Sequence, residues 1–343
     1  MSLLIRAPVA WTRRGDVIEN AVVLIEGGRI AHVGPASEAI EADEEIAGSW
    51  FLMPAGADRH VHVALSDPGA ILAGGVTAVR DLGWPPEDVF PLADASDGPS
   101  FNGPRIVAAG PMLTAPGGYP SQAGWAPPGT ALEVSDPEVA RRAVEDLATR
   151  GAAAIKVVLN AAAGPTLTDG VLLAACDAAH ARGLPVTAHV QGRGQTERAM
   201  GAGVDELAHC PWEQLSDATV DSLARGVRIV STLDIHSYGR DTPELRTAQD
   251  NLRRFAAAGG EVAYGTDLGN GAIPPGIHAR EAAHLLAAGL SADQVLHAIT
   301  ANPLAPNAPA DLIGLAGDPR ENILALGAVR FVMKAGRVVR AEA

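Results

Sequence analysis

Residues 153–190, AAIKVVLNAAAGPTLTDGVLLAACDAAHARGLPVTAHV, contain the pattern that decides the fold. The apolar run at 153–159 predicts a buried strand, and a second run at 184–190 predicts another. Between them, residues 168–182 show a helical pattern that ends before Gly183, and glycine is the usual stop signal of a helix. A strand, a helix and a strand in this order indicate two parallel strands of an α/β fold.

The same alternation extends in both directions along the chain. Helical patterns with Ser, Thr or Pro at the start and Gly at the end lie between several apolar runs. The eight runs span residues 59–63, 76–82, 105–109, 153–159, 184–190, 204–209, 227–233 and 261–266, and the helical patterns span 137–150, 168–182, 216–225 and 243–258. Eight strands that alternate with helices predict a (β/α)8 TIM barrel. A doubly wound open sheet is the alternative, although no Gly-rich phosphate-binding turn follows the first strand.

One connection is unusually long. Residues 110–136 follow the third predicted strand and contain five Pro and five Gly. Loops of this length are usually functional, and in a barrel this one lies at the C-terminal face, where active sites occur. We therefore expect it to set substrate choice.

Both ends of the chain predict β-hairpins. Runs at 21–26 and 29–34 flank Gly27-Gly28, and runs at 329–334 and 337–340 flank Ala335-Gly336. We expect the two ends to pair into a small β-sandwich domain. The predicted domains are residues 1–53 plus 310–343 for the β-sandwich and 54–309 for the barrel.

The composition excludes several classes of protein. Apolar residues make up 47% of the 343 residues and charged residues 19%, which argues against disorder. The net charge of −14 disfavours nucleic acid or an anionic membrane surface as a partner. No apolar run approaches the ~18 residues of a membrane helix, and the start lacks the pattern of a secretion signal. The chain contains only two cysteines, so we expect a cytoplasmic protein with free thiols. We expect its partner to be a small molecule. The sequence leaves a homo-oligomer open.

Metal-binding residue types recur at the C-terminal ends of the predicted strands. His60 and His62 share one face of the first strand, because alternate residues of a strand point the same way. Further candidates follow at the ends of strands four, five, six and eight: Lys156, His189, His209 and Asp267. In a barrel these ends converge on one mouth. Imidazole and carboxylate ligands together favour Zn²⁺, with Fe²⁺, Mn²⁺ or Co²⁺ as alternatives, so we expect a metal centre there.

At these residues the chain resembles the amidohydrolase superfamily of metal-dependent hydrolases. It is most similar to the branch that contains imidazolonepropionase and the Xaa-Pro dipeptidases. The matching segments are PAGADRHVHV (54–63), AGGVTAVRDLG (73–83), GAAAIKVVL (151–159), VTAHVQGRGQTERAMGAGVDELAHC (186–210), AYGTDLGNG (263–271), GLSADQVLHAITANP (289–303) and FVMKAGRVV (331–339). They cover nearly the whole chain, and the resemblance implies a barrel flanked by a small β-sandwich.

The resemblance also implies a role for each candidate ligand. His60 and His62 match ligands on the first strand, and His189 and His209 match ligands of a second metal. Lys156 matches a lysine that is carboxylated in the dipeptidase-like members, where it bridges two metals. The implied cofactors are therefore two Zn²⁺ ions and CO₂, the latter bound as a lysine carbamate.

The predicted function is hydrolysis of a C–N bond in a small amide, cyclic amide or dipeptide-like substrate. A metal ion lowers the pKa of bound water, so that a metal-activated hydroxide attacks the carbonyl. Asp267 matches the family's aspartate that touches the metal and shuttles the proton, which makes it the predicted catalytic residue. Two alternatives stay open. One is a one-metal deaminase or ring-amide hydrolase in which Lys156 is structural, and the other is a barrel without catalysis that serves as a binding module.

Residues on predicted loops at the mouth are candidates for binding substrate: Tyr119, Arg193, His236, Tyr238 and Arg240. An Arg or Tyr there would hold a substrate carboxylate. Tyr119 stands where the dipeptidases tend to have a histidine facing the substrate. Together with the short connection at 63–75, this departure weakens the case for a dipeptide substrate.

Two further predictions concern residues beside the ligands. Asp58 shares a strand face with His60, so we expect it to support that imidazole. Arg80 and Asp81 end the second strand, and we expect them to form a structural ion pair.

Overall fold

The computed structural model describes residues 2–13, 15–36 and 40–342. The strands are β1 (Ser2–Trp11), β2 (Val17–Glu26), β3 (Arg29–Pro35), β4 (Glu44–Ala47), β5 (Phe51–Pro54), β6 (Gly56–Val61), β7 (Val76–Asp81), β8 (Arg105–Ala108), β9 (Met112–Thr114), β10 (Ala131–Glu133), β11 (Ile155–Asn160), β12 (Val186–Gln191), β13 (Glu206–Leu207), β14 (Arg228–Val230), β15 (Val262–Ala263), β16 (Leu312–Leu315), β17 (Val329–Lys334) and β18 (Arg337–Ala341). The α-helices are α1 (Pro68–Ala73), α2 (Pro86–Ser96), α3 (Pro137–Thr149), α4 (Asp169–Ala181), α5 (Gln195–Gly201), α6 (Asp217–Ala224), α7 (Pro243–Ala257), α8 (Ala279–Ala287) and α9 (Ala292–Ile299). Short 3-10 turns lie at Val63–Leu65, Leu233–His236 and Ile323–Gly327.

Helices begin where polar side chains cap them. Asp136, Thr168, Ser216 and Thr242 precede α3, α4, α6 and α7, and each accepts a hydrogen bond from a backbone N–H of the first turn. These N–H groups have no partner inside the helix, so the caps stabilise the helix start. The four helices that the sequence predicts therefore form within a residue or two of their expected bounds.

Strands from both ends of the chain share one eight-stranded sheet. Its order is β18-β17-β16-β5-β1-β2-β3, and β4 also pairs with β1. At the β2–β3 turn Gly27 and Gly28 have φ of 55° and 77°, and at the β17–β18 turn Ala335 and Gly336 have φ of 49° and 77°. Two consecutive residues with positive φ make the primed turn that tight hairpins favour. Both predicted hairpins form, and they belong to this one sheet.

The central strands form two parallel sheets. β6, β7 and β8 make a three-stranded sheet, and β10-β9-β11-β12-β13-β14-β15 make a seven-stranded one. Among the described residues, strand pairing does not join the two sheets into a closed ring. Backbone hydrogen bonds outside the named strands connect the two sheets on both sides. Ala153 N donates to Ala108 O at 2.8 Å on one side, and on the other His62 N donates to Leu268 O at 2.7 Å and Asp267 N donates to His60 O at 2.8 Å. The prediction of an α/β fold with parallel strands is confirmed.

The connection at 110–136 corrects the prediction of one long loop. β9 and β10 lie inside it and pair in parallel, and β9 also pairs with β11. Strands of three residues are too short to show an alternating pattern, so the Pro and Gly content hid them. The remaining loop, residues 115–130, carries Tyr119 and Trp125.

The apolar residues of the described chain fill two large cores and a cluster of three residues, Leu82, Ala109 and Ala208. The larger one lies between the parallel strands and their helices, and a smaller one lies against the terminal sheet, where Trp50 stacks on Phe331 at 4.7 Å between ring centroids. In the part of the chain that the structure describes, every helix is too short or too polar to cross a bilayer.

Candidate metal centre

The structure brings all the predicted ligands to one cavity at one end of the parallel strands. Two lie at the end of β6 and two follow β13 and β15, while His189 lies within β12. Lys156 is the second residue of β11, so its predicted place at the end of that strand is wrong, although it still reaches the cavity. In chain order the predicted ligands are His60, His62, Lys156, His189, His209 and Asp267. The ends of parallel strands meet at the same edge of a sheet, which is why residues far apart in the sequence become neighbours.

Backbone carbonyls orient the two imidazoles of the first strand. His60 Nδ1 donates to Ala208 O at 2.8 Å, and His62 Nδ1 donates to Gly83 O at 3.0 Å. A carbonyl oxygen only accepts, so Nδ1 carries the proton in each ring. In a neutral ring the lone pair is then on Nε2, which is the atom that binds a metal ion.

His209 and His189 complete the set of imidazoles. His209 Nδ1 lies 2.9 Å from Thr232 Oγ1, and Asn160 Nδ2 lies 3.2 Å from His189 Nε2. The centroid of the His209 ring lies 4.6 Å from that of His60 and 4.8 Å from that of His189. Burial lowers the pKa of His189 to about 3 and holds the pKa of His209 well below its usual range. Both rings are therefore neutral at pH 7, as metal binding requires.

Asp267 lies against the first-strand imidazoles in a left-handed backbone conformation. Its φ is 60°, which is uncommon outside glycine, and its N–H donates to His60 O at 2.8 Å. Its Oδ1 lies 3.2 Å from His60 Nε2 and 3.3 Å from His62 Nε2. Burial alone would raise the pKa of this carboxyl, but the neighbouring imidazoles hold it well below its usual value. Asp267 is therefore an anion.

Lys156 is a buried amine without a hydrogen-bond partner among the described residues. Burial lowers its pKa to about 7, because desolvation disfavours the ammonium form. A large part of the amine is therefore neutral near pH 7. A buried ammonium with no partner is costly, so this position calls for another chemical state of the lysine or for an added group.

The donors fit a divalent cation. The Nε2 atoms of His60 and His62 face the Asp267 carboxylate, and although burial disfavours a charged ring, the contact with Asp267 raises the pKa of His62. A divalent cation bound among these atoms would take the place of the proton in this contact. Asp267 Oδ1 also lacks a hydrogen-bond partner within the described chain. Ligand atoms of His60, His209 and Asp267 all lie within 4.8 Å of one another. Three neutral or anionic donors at this spacing suit a transition-metal ion.

The cavity is small and lined by aromatic rings. Its volume is about 240 Å³, just below the ~300–1,000 Å³ of drug-sized ligand pockets. Of the predicted mouth residues, Tyr119, His236 and Tyr238 line it. Arg193 and Arg240 do not, since both are exposed and lie outside the lining. Their expected role in holding a substrate carboxylate is therefore not supported.

Four residues that line the cavity were not predicted from the sequence. These residues are Met112, Trp212, Ile235 and Asn270. Apolar side chains on loops look alike in a sequence whether they line a cavity or pack in a core, so only Asn270, close after Asp267, offered a signal.

Two carboxylates hold the backbone around the ligands. Asp58 Oδ1 accepts hydrogen bonds from His60 N at 3.0 Å and Thr266 N at 3.1 Å, so it ties β6 to the residue before Asp267. Asp81 accepts hydrogen bonds from Val63 N at 2.8 Å and from Gly83 N at 3.0 Å. Val63 follows His62, and Gly83 provides the carbonyl oxygen that His62 Nδ1 contacts. Both act on the ligands through the backbone.

The predicted ion pair between Arg80 and Asp81 is wrong. Adjacent residues of a strand point to opposite faces, so the two side chains diverge. Arg80 instead pairs with Glu206, which also accepts from Arg228 Nε at 2.7 Å and Thr187 Oγ1 at 3.0 Å. This buried network is separate from the cavity lining.

A second buried cluster anchors the loop after β14. Asp234 accepts from Arg280 Nε at 2.8 Å and from Arg280 Nη2 at 2.7 Å, and its carboxylate lies 2.7 Å from His278 Nε2 and 3.2 Å from His284 Nε2. These contacts tie the loop to α8. The same loop carries Ile235, His236 and Tyr238 to the cavity, so the cluster fixes that wall.

Known proteins share both the sequence pattern and the architecture. Residues 51–339 match the profile of the amidohydrolase family. An uncharacterised protein of Mycobacterium tuberculosis (strain H37Rv) is 31% identical over 350 residues, which cover 88% of each chain. An imidazolonepropionase of Arthrobacter sp. (strain FB24) is 46% identical over 48 residues, which is 14% of this chain and 12% of that enzyme.

Two solved structures superpose along nearly the full length. A candidate prolidase from Bifidobacterium longum has a TM-score of 0.85 and 26% identity, and the match covers 100% of this chain and 96% of that one. A Xaa-Pro dipeptidase with bound methionine in its active site has a TM-score of 0.83 and 22% identity, with 98% and 99% covered. The predicted resemblance is confirmed, as is the prediction of an amidohydrolase-type enzyme acting on carbon–nitrogen bonds. On the family match, which spans most of its length, the chain belongs to the amidohydrolase family.

Proposed function

We propose that this chain is a metal-dependent hydrolase that cleaves a C–N bond in a small amide, cyclic amide or dipeptide-like substrate. One observation carries the proposal. Four imidazoles, the Asp267 carboxylate and the Lys156 amine converge on one small cavity. Lys156 Nζ and Asp267 Oδ1 have no hydrogen-bond partner among the described residues, and metal ions would satisfy the cluster.

The proposed ligands divide between two metal ions. His60, His62 and Asp267 would hold one, and His189 and His209 would hold the other, with zinc as the expected metal and iron, manganese or cobalt as alternatives. Divalent ions there would acidify water and polarise a carbonyl oxygen. The carbonyl contacts of the His60 and His62 Nδ1 atoms keep both Nε2 atoms aimed at the cavity.

Lys156 contributes as a carbamate. Its neutral amine would form an N–C bond with CO₂ and release one proton, which converts the uncharged amine into an anionic carbamate. This product can bridge two cations. The partly neutral amine and the absence of a protein partner among the described residues support this state.

Asp267 is the proposed catalytic residue. Its Oδ1 takes a proton from the attacking water and delivers it to the leaving nitrogen. The hydrogen bond from its backbone N–H to His60 O keeps the carboxylate at the first-strand imidazoles throughout.

The proposed function also depends on how the parallel sheets are arranged. We infer that the two parallel sheets act together as one (β/α)8 barrel over residues 54–309. Residues 1–53 and 310–343 would form the small β domain. The substrate is a small molecule, the expected compartment is the cytoplasm, and a homo-oligomer is compatible with this arrangement.

The one-metal alternative needs a structural Lys156. A structural lysine at this depth would be paired, yet its Nζ has no hydrogen-bond partner in the described chain. This observation favours the two-metal centre. The non-catalytic alternative disagrees with the membership of an enzyme family and with a ligand set that is complete.

A substrate screen tests the proposal. Zinc-loaded and chelator-stripped protein would be assayed against a library of N-acyl amino acids, dipeptides, hydantoins and lactones. We expect amide hydrolysis that disappears on stripping and returns with zinc. Hydrolysis that survives complete metal removal would refute the proposal of a metal-dependent hydrolase. A result in which no compound of the library is hydrolysed would also refute it.

A further inference from the structure

The wall of the cavity carries no formal charge beyond the metal-binding cluster. Among the described lining residues, those outside the cluster are Met112, Tyr119, Trp125, Trp212, Ile235, His236, Tyr238 and Asn270. His236 is the only one that could become a cation. Its Nε2 donates to Cys210 O at 3.3 Å, and burial lowers its pKa to about 4, so it is neutral at pH 7.

Three arginines near the lining residues in the sequence or in the fold do not line the cavity. Arg280 is committed to Asp234 through two hydrogen bonds. Arg193 and Arg240 are exposed and do not line the cavity. A substrate carboxylate away from the cluster would therefore lose its hydration without gaining a charged partner, and such a loss is unfavourable.

Flat rings make up much of the wall. On one side Trp125 Nε1 donates to Tyr119 Oη at 3.2 Å, and the Tyr119 ring stacks near His189 with centroids 5.4 Å apart. On the other side the ring of Trp212 lies 4.5 Å from that of His236. Aromatic faces contact flat apolar groups over a large area. The polar atoms that remain belong to neutral amide, hydroxyl and imidazole groups.

We propose that this site selects an uncharged small amide bearing a flat, apolar group, and disfavours dipeptides and N-acyl amino acids that keep a free carboxylate. This inference rests on the proposed amide hydrolysis and names its substrate class. It follows from the missing cation and the aromatic walls together.

Matched substrates separate charge from shape. N-acetyl-L-phenylalanine and N-acetyl-L-phenylalaninamide differ only in the carboxylate, and the corresponding alanine pair lacks the ring. With zinc-loaded protein at pH 7, we expect kcat/KM for deacetylation to favour each carboxamide over its acid by about tenfold or more. We also expect phenylalaninamide to exceed alaninamide. Equal rates within the pairs, or a preference for the acids, would overturn the inference while leaving amide hydrolysis intact.

Binding gives a second readout that does not depend on turnover. The same four compounds would be titrated calorimetrically into zinc-loaded Asp267→Asn protein. We expect the phenyl carboxamide to bind most tightly. If no compound is hydrolysed by wild type but this order appears, the selection stands and the proposed hydrolysis fails. Tightest binding of an acid overturns the selection.

A charge added to the wall should reverse the preference. Ile235→Lys supplies the missing cation, and Asn270→Lys does the same from a second position if the first variant does not fold. We expect the ratio of acid to carboxamide to rise about tenfold. Leu173→Ala, an exposed position on α4, is the control and should keep the wild-type ratio. An unchanged ratio in a folded lysine variant would contradict the inference.

Discussion

The ring nitrogen that faces away from the cavity decides what each imidazole can do. His60 and His62 each give Nδ1–H to a backbone carbonyl, which leaves Nε2 of each ring facing Asp267. The sequence places both rings on one strand face but says nothing about their tautomers. Those depend on Ala208 and Gly83, which lie on other strands or loops. The grouping of these candidate ligands was therefore predictable from residue type and position, whereas the proton on Nδ1 of His60 and His62 required the fold.

Asp267→Asn should keep the fold and much of the metal but lose turnover. The proposed role needs a carboxylate that takes up and releases a proton, and an amide cannot do so. We expect kcat to fall by ~10²–10⁴. Zinc content and circular dichroism would be measured beside the rate. A variant with near wild-type turnover would remove Asp267 from the mechanism.

His236 should make the protein less stable in acid. Its folded pKa of about 4 lies below the ordinary 6.5, so between these values the unfolded chain binds a proton that the folded protein does not. The free energy of unfolding therefore falls as the pH drops from about 6.5 to about 4. We expect His236→Gln to lose about 2 kcal/mol less than wild type between pH 7 and pH 4.5. Urea unfolding of both proteins measures this, and equal losses would rule out the contribution.

Among the elements, the loop after β14 is held by the buried Asp234 carboxylate and by Glu281, which accepts hydrogen bonds from Leu233 N and Asp234 N at 2.8 Å each. Asp234→Asn should leave Arg280 and the nearby histidines without their anion, and we expect it to destabilise the protein by about 2 kcal/mol. KM should also rise, because the loop carries part of the cavity wall. The control is Asp241→Asn, whose ion pair with Arg246 is exposed; its expected cost is below about 1 kcal/mol. Equal costs in the two variants would mean that Asp234 does not anchor the loop.

The loop at 115–130 should set substrate choice. Tyr119 lines the cavity and is held by Trp125, so Tyr119→Ala should change relative rates among substrates more than stability. Rates on a panel of amides and the melting temperature would be compared with wild type. If the ranking stays the same while the melting temperature drops, the loop is scaffold only.

Elements were predictable where local chemistry fixes them. Capping residues such as Thr168 and Ser216 and the turn glycines Gly27 and Gly28 act within a few residues, so sequence patterns report them directly. β9 and β10 were missed, because strands of three residues exist only through pairing with distant partners. Arg80 was assigned the wrong partner for the same reason, since Glu206 reaches it only in the folded chain.

For the whole molecule, local sequence patterns cannot predict which distant segments pair with each other. Both terminal hairpins were predicted, but their membership of one eight-stranded sheet depends on β1, β5 and β16, which join the two ends. The parallel sheets meet through backbone hydrogen bonds outside the named strands, such as that from His62 N to Leu268 O. That contact also brings Asp267 to the first-strand imidazoles, so the architecture and the candidate centre depend on the same junction.

Zinc content per chain tests the central claim most directly. Wild-type protein and Lys156→Ala would be reconstituted with Zn²⁺ and bicarbonate, desalted, and analysed by elemental mass spectrometry. The proposed centre predicts about two zinc ions per wild-type chain and about one or fewer in the variant, because the bridging carbamate is lost. Wild-type protein without stoichiometric metal, or a variant that holds as much zinc as wild type, would contradict the two-metal centre.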